Sequence, residues 1–193
     1  MPADDKSRRI LDAAVRVFAS HGYDAARVSD IAREAGVAYG LVYHYYASKE
    51  AVLEAVFREA WGRLLVAVAL AEQTDADAAE QLELVVKIVL RAWRVDPDLV
   101  RLLVREVTRN PHIHDELDEI GQAFASLERM VRRGQADGTF RAELDPKLAS
   151  WMVYGALEEV LTGWVLGQLP DDAAAVGAAE REVTATMVGG LRA

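Results

Sequence analysis

Apolar Ile31, Ala32 and Ala35 fall on one face of a short helix, and Val42, Tyr45 and Tyr46 repeat at three- and four-residue spacing in the segment that follows. Between the two runs stands Gly36, able to take the left-handed backbone of a tight interhelical turn. Small Ala35 permits close approach there, and Val37 plugs the corner. The pattern predicts a helix-turn-helix. It turns Tyr39, Gly40, Leu41, Tyr43 and His44 outward, where a solvated helix face carries Lys, Glu or Gln, so this surface is expected to touch something. Tyr45 and Tyr46 are expected to pack inward.

The rest of the chain reads as helix throughout, with no segment of sustained β alternation, and the expected class is all-α. Asp96-Pro97, Asn110-Pro111 and Asp145-Pro146 each set a capping residue before a proline suited to the first helical position. Ser48 opens a long helix to about residue 71. Further helices are expected over about 76–95, 98–109, 112–136 and 147–169, with a last one capped by Asp171 or Asp172 and a break at Gly138-Thr139-Phe140.

Residues 10–57, ILDAAVRVFASHGYDAARVSDIAREAGVAYGLVYHYYASKEAVLEAVF, run in order through an amphipathic helix, a Gly-aromatic pair, a second helix, an Ala-Gly-Val turn, a Gly-x-x-Tyr helix and a Lys-Glu helix start. The whole module resembles the DNA-binding domain of TetR-family transcriptional regulators. The resemblance implies a three-helix reader over residues 1–50 and a helical effector-binding and dimerisation domain over 51–193. It assigns Tyr39, Gly40 and Leu41 to base edges in the major groove, Tyr43 and His44 to flanking phosphates, and Lys49 to a phosphate at the start of the fourth helix. Arg27 and Ser29, opening the second helix, would add one phosphate and one base contact. Lys6, Arg8 and Arg9 would form a basic arm before the first helix. The division agrees with chemistry, because Tyr hydroxyls and Lys bind phosphate, whereas Leu41 can read only an apolar feature such as a thymine methyl.

Two positions depart from the family pattern. Ala38 stands where a hydroxyl residue usually caps the reading helix, a loss typically worth ~1 kcal/mol, and Tyr39 replaces a frequent Lys. Both bear on operator choice.

Charge sharpens the picture. Residues 1–50 hold seven Lys or Arg and seven Asp or Glu, so the remainder carries the entire net charge of −9. An acidic body is repelled by a duplex, which argues against nonspecific coating and for docking through one local face.

The helix expected at 147–169 is apolar around much of its circumference and needs partners on more than one side. In TetR-like regulators the last two long helices pair across a two-fold axis, which would make Trp151, Gly155, Gly163 and Trp164 part of a homodimer seam. A core helix in a monomer is the other reading. Symmetry favours the dimer, since two reading helices double the footprint on a pseudo-palindrome. Upstream, LELVVKIVLRAW and LVRLLVREVTRN supply an apolar lining, while Arg101, Arg105 and Arg109 form a cationic stripe. That stripe either pairs with surplus carboxylates or meets an anionic ligand. REVTRN, the helix ending before Gly138-Thr139-Phe140, and LDPKLASWMVYGALEEVLTGWVL are similar to the effector domain of FadR-type TetR regulators, which respond to long-chain fatty acyl-CoA. The resemblance implies an effector site drawing on Trp93, Arg101, Arg105 and Arg109.

At 193 residues, 52% of them hydrophobic, the chain suits one compact unit or two small ones. No cysteine is present, and no apolar run suggests an export signal or a bilayer span, so a cytoplasmic protein is expected. His112 and His114, two apart at a helix start, make poor joint metal ligands, and adjacent Glu158 and Glu159 point about 100° apart, which rules out a paired acid and base. No cofactor, metal or catalytic chemistry is expected. Three functions fit: a dimeric ligand-responsive repressor released from operator DNA by a small hydrophobic or acyl-CoA-like effector, a DNA-binding regulator controlled by a protein partner, or a helical lipid-binding protein without DNA activity.

Overall fold

The structure is a computed structural model that describes residues 2–107, 109 and 118–193. In chain order the helices are α1 (Pro2–His21), α2 (Val28–Ala35), α3 (Tyr39–Tyr45), α4 (Lys49–Glu72), α5 (Ala78–Val95), α6 (Pro97–Val107), α7 (Asp118–Asp137), α8 (Pro146–Val165) and α9 (Ala173–Val183). The last continues through a π-helical turn, Thr184–Val188, into the single turn α10 (Gly189–Leu191). The class is all-α, as expected. The only bridge among the described residues joins Phe140 to Arg192.

Local chemistry accounts for four of the helix starts. Asp77 accepts from the Glu80 amide while Glu80 accepts from the Asp77 amide, a reciprocal box that satisfies two orphan donors. Asp145 caps α8 through the Leu148 amide at 2.8 Å, and Asp172 caps α9 through the amides of Ala174 and Ala175. Ser48 does the same for α4 through the Ala51 amide. The helix start expected at Asn110-Pro111, and His112 and His114 with it, lie outside the described residues.

The chain divides into two compact units, Met1–Ala60 with Asp98–Glu116, and Trp61–Pro97 with Leu117–Ala193. In the first, Ile10, Ala14, Val17 and Phe18 of α1, Ile31 and Ala35 of α2, Val42 of α3, and Val52, Leu53 and Phe57 of α4 are buried. The α1 helix begins earlier than expected. Lys6, Arg8 and Arg9 therefore lie within it rather than in a preceding arm, and Arg9 Nη2 donates to the Ala35 carbonyl at 2.7 Å. A guanidinium there satisfies an orphan carbonyl and suits the negative end of α2.

In the second unit α5 packs against α7, α8 and α9, burying Leu82, Val86, Leu90 and Trp93. Phe140, after the Gly138 turn, is buried, and its amide donates to the Gly134 carbonyl at 2.8 Å. No helix among the described residues is long and apolar enough to cross a membrane.

Candidate nucleic-acid interface

The turn between α2 and α3 is built as the glycine requires. Gly36 adopts φ 64°, its amide donates to Arg33, and the Val37 amide reaches back to Ala32 at 3.0 Å. These paired bonds form a Schellman ending, which closes α2 and aims the chain into α3. Ala38 precedes α3 with extended backbone and makes no side-chain cap. Burial of Val42 then fixes the rotation of α3, leaving Tyr39 54% and Tyr43 44% exposed, with Gly40 and His44 exposed and Leu41 half-buried. Tyr45 and Tyr46 are half-buried, and the Tyr46 hydroxyl shares a 2.8 Å hydrogen bond with Ser7 Oγ.

The exposed tyrosines form a pair. Their rings meet edge to face with centroids 5.2 Å apart, and the Tyr39 hydroxyl donates to that of Tyr43 at 3.3 Å. That bond, together with slight desolvation, raises the Tyr43 phenol above its ordinary value, so it stays a neutral donor. Because Tyr43 accepts from Tyr39, its own proton is available to an outside acceptor such as a phosphate oxygen. Beside this pair, Arg27 and Ser29 are exposed at the start of α2, where the Arg27 amide is held by Asp30 Oδ2 at 3.2 Å.

Lys49 is placed differently from the outward phosphate contact expected of it. Its Nζ donates to the carbonyls of Tyr23, Asp24 and Ala26 at 2.8, 3.3 and 3.2 Å and lies 4.3 Å from the centre of the Tyr23 ring. All three ammonium protons are engaged within the protein. Tyr23, whose ring meets Phe18 edge to face, donates its hydroxyl to Glu50 Oε1 at 3.1 Å. Burial first, and the Glu50 charge second, hold its phenol well above the ordinary range. In the sequence, Gly22-Tyr23 stands only as the Gly-aromatic pair of the module. Nothing in the spacing between Tyr23 and Lys49 signals that they meet.

The remaining candidates fall in both units. Arg101, Arg105 and Arg109 belong to the first unit and Trp93 to the second. Arg101 Nη1 pairs with Asp98 at 2.5 Å, while Arg105 and Arg109 are exposed. Trp93 is buried against Trp164 and donates Nε1–H to Asp171. Of the expected dimer residues, Trp164 and Gly163 are internal to the protomer. Trp164 donates to the Pro170 carbonyl, and a Cβ on Gly163 would stand 2.6 Å from Leu169 of the same chain. Trp151 and Gly155 are exposed instead, with nothing within 4 Å of a Cβ on Gly155. They share a stripe with exposed Leu148, Met152 and Leu166.

The amino-terminal part of the chain, residues 10–56, matches the family model for bacterial regulatory proteins of the tetR family, and residues 57–183 match that for the C-terminal region of YsiA-like proteins. The chain is 31% identical over 173 residues to the fatty acid metabolism regulator protein of Bacillus subtilis (strain 168), covering 89% of each. Among solved structures, it is similar to the fatty acid degradation regulator FadR from Bacillus halodurans, with a TM-score of 0.86 and 33% identity, covering 97% of this chain and 96% of that one. It is also similar to FadR from Bacillus subtilis in complex with stearoyl-CoA, with a TM-score of 0.87 and 29% identity, covering 96% of this chain and 99% of that one.

Proposed function

The chain belongs to the TetR family of bacterial regulatory proteins, and from that premise we propose that it is a dimeric repressor that reads a pseudo-palindromic operator and is released by an acyl-CoA-like effector. It is a DNA-binding transcriptional regulator rather than an enzyme. The DNA-reading role is assigned within residues 1–50, and the effector and dimerisation roles within 51–193. The observation that carries the reading is the outward face of α3. Two paired tyrosines, Gly40 and His44 are exposed at the helix that follows the Gly36 turn. Such a face fits a groove lined by phosphates. Tyr39, Gly40 and Leu41 take the base edges, Tyr43 and His44 the backbone, and Arg27 and Ser29 add contacts from α2. As a regulator of DNA the protein acts in the cytoplasm.

The effector assignment draws on a relative crystallised with stearoyl-CoA. The phosphates of such a ligand need cations in an otherwise acidic body, and Arg105 and Arg109 are exposed on or just beyond α6, with Arg101 one turn earlier. Effector binding releases DNA only as far as its affinity differs between the DNA-bound and released conformations. The test is a titration of acyl-CoA of increasing chain length into a complex of the protein with operator DNA recovered by in vitro selection. Release by long chains and not by short ones is expected, and Arg105→Ala should raise the concentration required. No release at any length would overturn the effector assignment, while failure of the parent to select any duplex would overturn the DNA reading itself.

A further inference from the structure

The carbonyls of Tyr23, Asp24 and Ala26 belong to one short loop, residues 22–27, that joins α1 to α2. Gly22 starts it with φ 77°, and the Ala26 amide closes it on the Gly22 carbonyl at 3.2 Å. Three carbonyl oxygens of a four-residue stretch, converging on one point, repel one another unless a cation sits among them. Lys49 supplies that cation from the first position of α4, and the Tyr23 ring closes the cage from one side. The loop ends at Arg27, so its shape sets where Arg27, Ser29 and the start of α2 stand relative to the α3 reading face.

We propose that Lys49 is a positioning residue for operator binding, acting through the cage it forms with Tyr23, Asp24 and Ala26 and not through a DNA phosphate. It clamps the α1–α2 loop to α4 before DNA arrives, so the ordering of that loop does not have to be met from the binding free energy. The cage is selective for an ammonium. Three rotatable donors on a compact head fit three converging carbonyls, whereas the planar guanidinium fork of arginine does not. A phosphate contact would have the opposite preference, because arginine binds phosphate at least as well as lysine.

The inference rests on α2 and α3 being the DNA reader, which the parent's binding to selected operator DNA tests separately. The full-length parent, Lys49→Met, Lys49→Arg and Tyr23→Leu are titrated against that duplex at several salt concentrations, with thermal melting alongside to score folding. Both Lys49 variants are expected to weaken binding by roughly tenfold, as loss of charge-assisted hydrogen bonds implies, with the slope of log affinity on log salt unchanged. Tyr23→Leu, which leaves Lys49 in place for any phosphate, is expected to weaken binding in the same way. The proposal is overturned if Lys49→Arg binds like the parent, if Lys49→Met lowers the slope magnitude by about two, one per protomer, or if Tyr23→Leu binds like the parent. Should the Lys49 variants not fold, Tyr23→Leu alone decides between the two outcomes.

Discussion

Gly155→Glu and Gly163→Ala, two changes eight residues apart on α8, should fail in opposite ways. A Cβ at Gly155 meets nothing within 4 Å, and neighbouring Leu148, Trp151, Met152 and Leu166 are 61%, 53%, 59% and 59% exposed. In an isolated protomer, Gly155→Glu costs nothing and gains about 0.5 kcal/mol of helix propensity. If this stripe is the dimer seam, each protomer buries a carboxylate without a partner, at a cost of about 3 kcal/mol. Two-fold symmetry doubles that to about 6 kcal/mol, which weakens association by roughly four powers of ten. At Gly163 the added carbon would stand 2.6 and 2.8 Å from Leu169 Cδ1 and Cγ, inside the protomer. Ordinary carbon contacts are about 3.5–4.0 Å, so the Leu169 side chain must move off α8, and overpacking of this kind costs about 1–3 kcal/mol less the propensity regained. Sedimentation velocity across a concentration series, with thermal melting of the same samples, separates the two. Gly155→Glu should sediment as a folded monomer where the parent is a dimer, and Gly163→Ala should stay dimeric but melt earlier. A Gly155→Glu dimer of parental affinity, or a parent that is itself a monomer at micromolar concentration, would refute the seam.

Gly134→Ala should destabilise the second unit by about 1–3 kcal/mol in denaturant unfolding, because its Cβ would run into the Phe140 ring and stand 2.9 Å from Ala78 Cβ. Tyr43→Phe should weaken operator binding without altering sequence preference in a selection experiment, whereas Tyr39→Ala should alter it. Equal preference for both variants would remove Tyr39 from the base-reading role. Glu50 is held below its ordinary carboxylate value by its own backbone amide first and by Ser48 and Tyr23 after it. A depressed folded value means its stabilising contribution is complete above the unfolded glutamate value and lost as the pH falls through the folded one. Glu50→Gln should therefore flatten the acid side of the melting-temperature profile between those two values, and an unchanged profile would dismiss the contact.

Much of this architecture was legible in the residues alone, for a physical reason that is local. Asp145 and Asp172 cap helices because a short side-chain oxygen reaches amides two or three residues ahead, and Gly36 ends α2 because the turn needs a left-handed backbone. The outward row of Tyr39, Gly40, Tyr43 and His44 follows from Val42 facing inward, a matter of helical period. What crosses long stretches of chain was decided only by tertiary packing. Periodicity states that Gly155 and Gly163 share a face, but not that Leu169 folds back onto one and leaves the other open. Arg9 and Lys49 carry their charges on flexible stems, so their position in sequence does not fix what they meet. Each is drawn to carbonyls that become neighbours only on folding: Ala35 for Arg9, and Tyr23, Asp24 and Ala26 for Lys49.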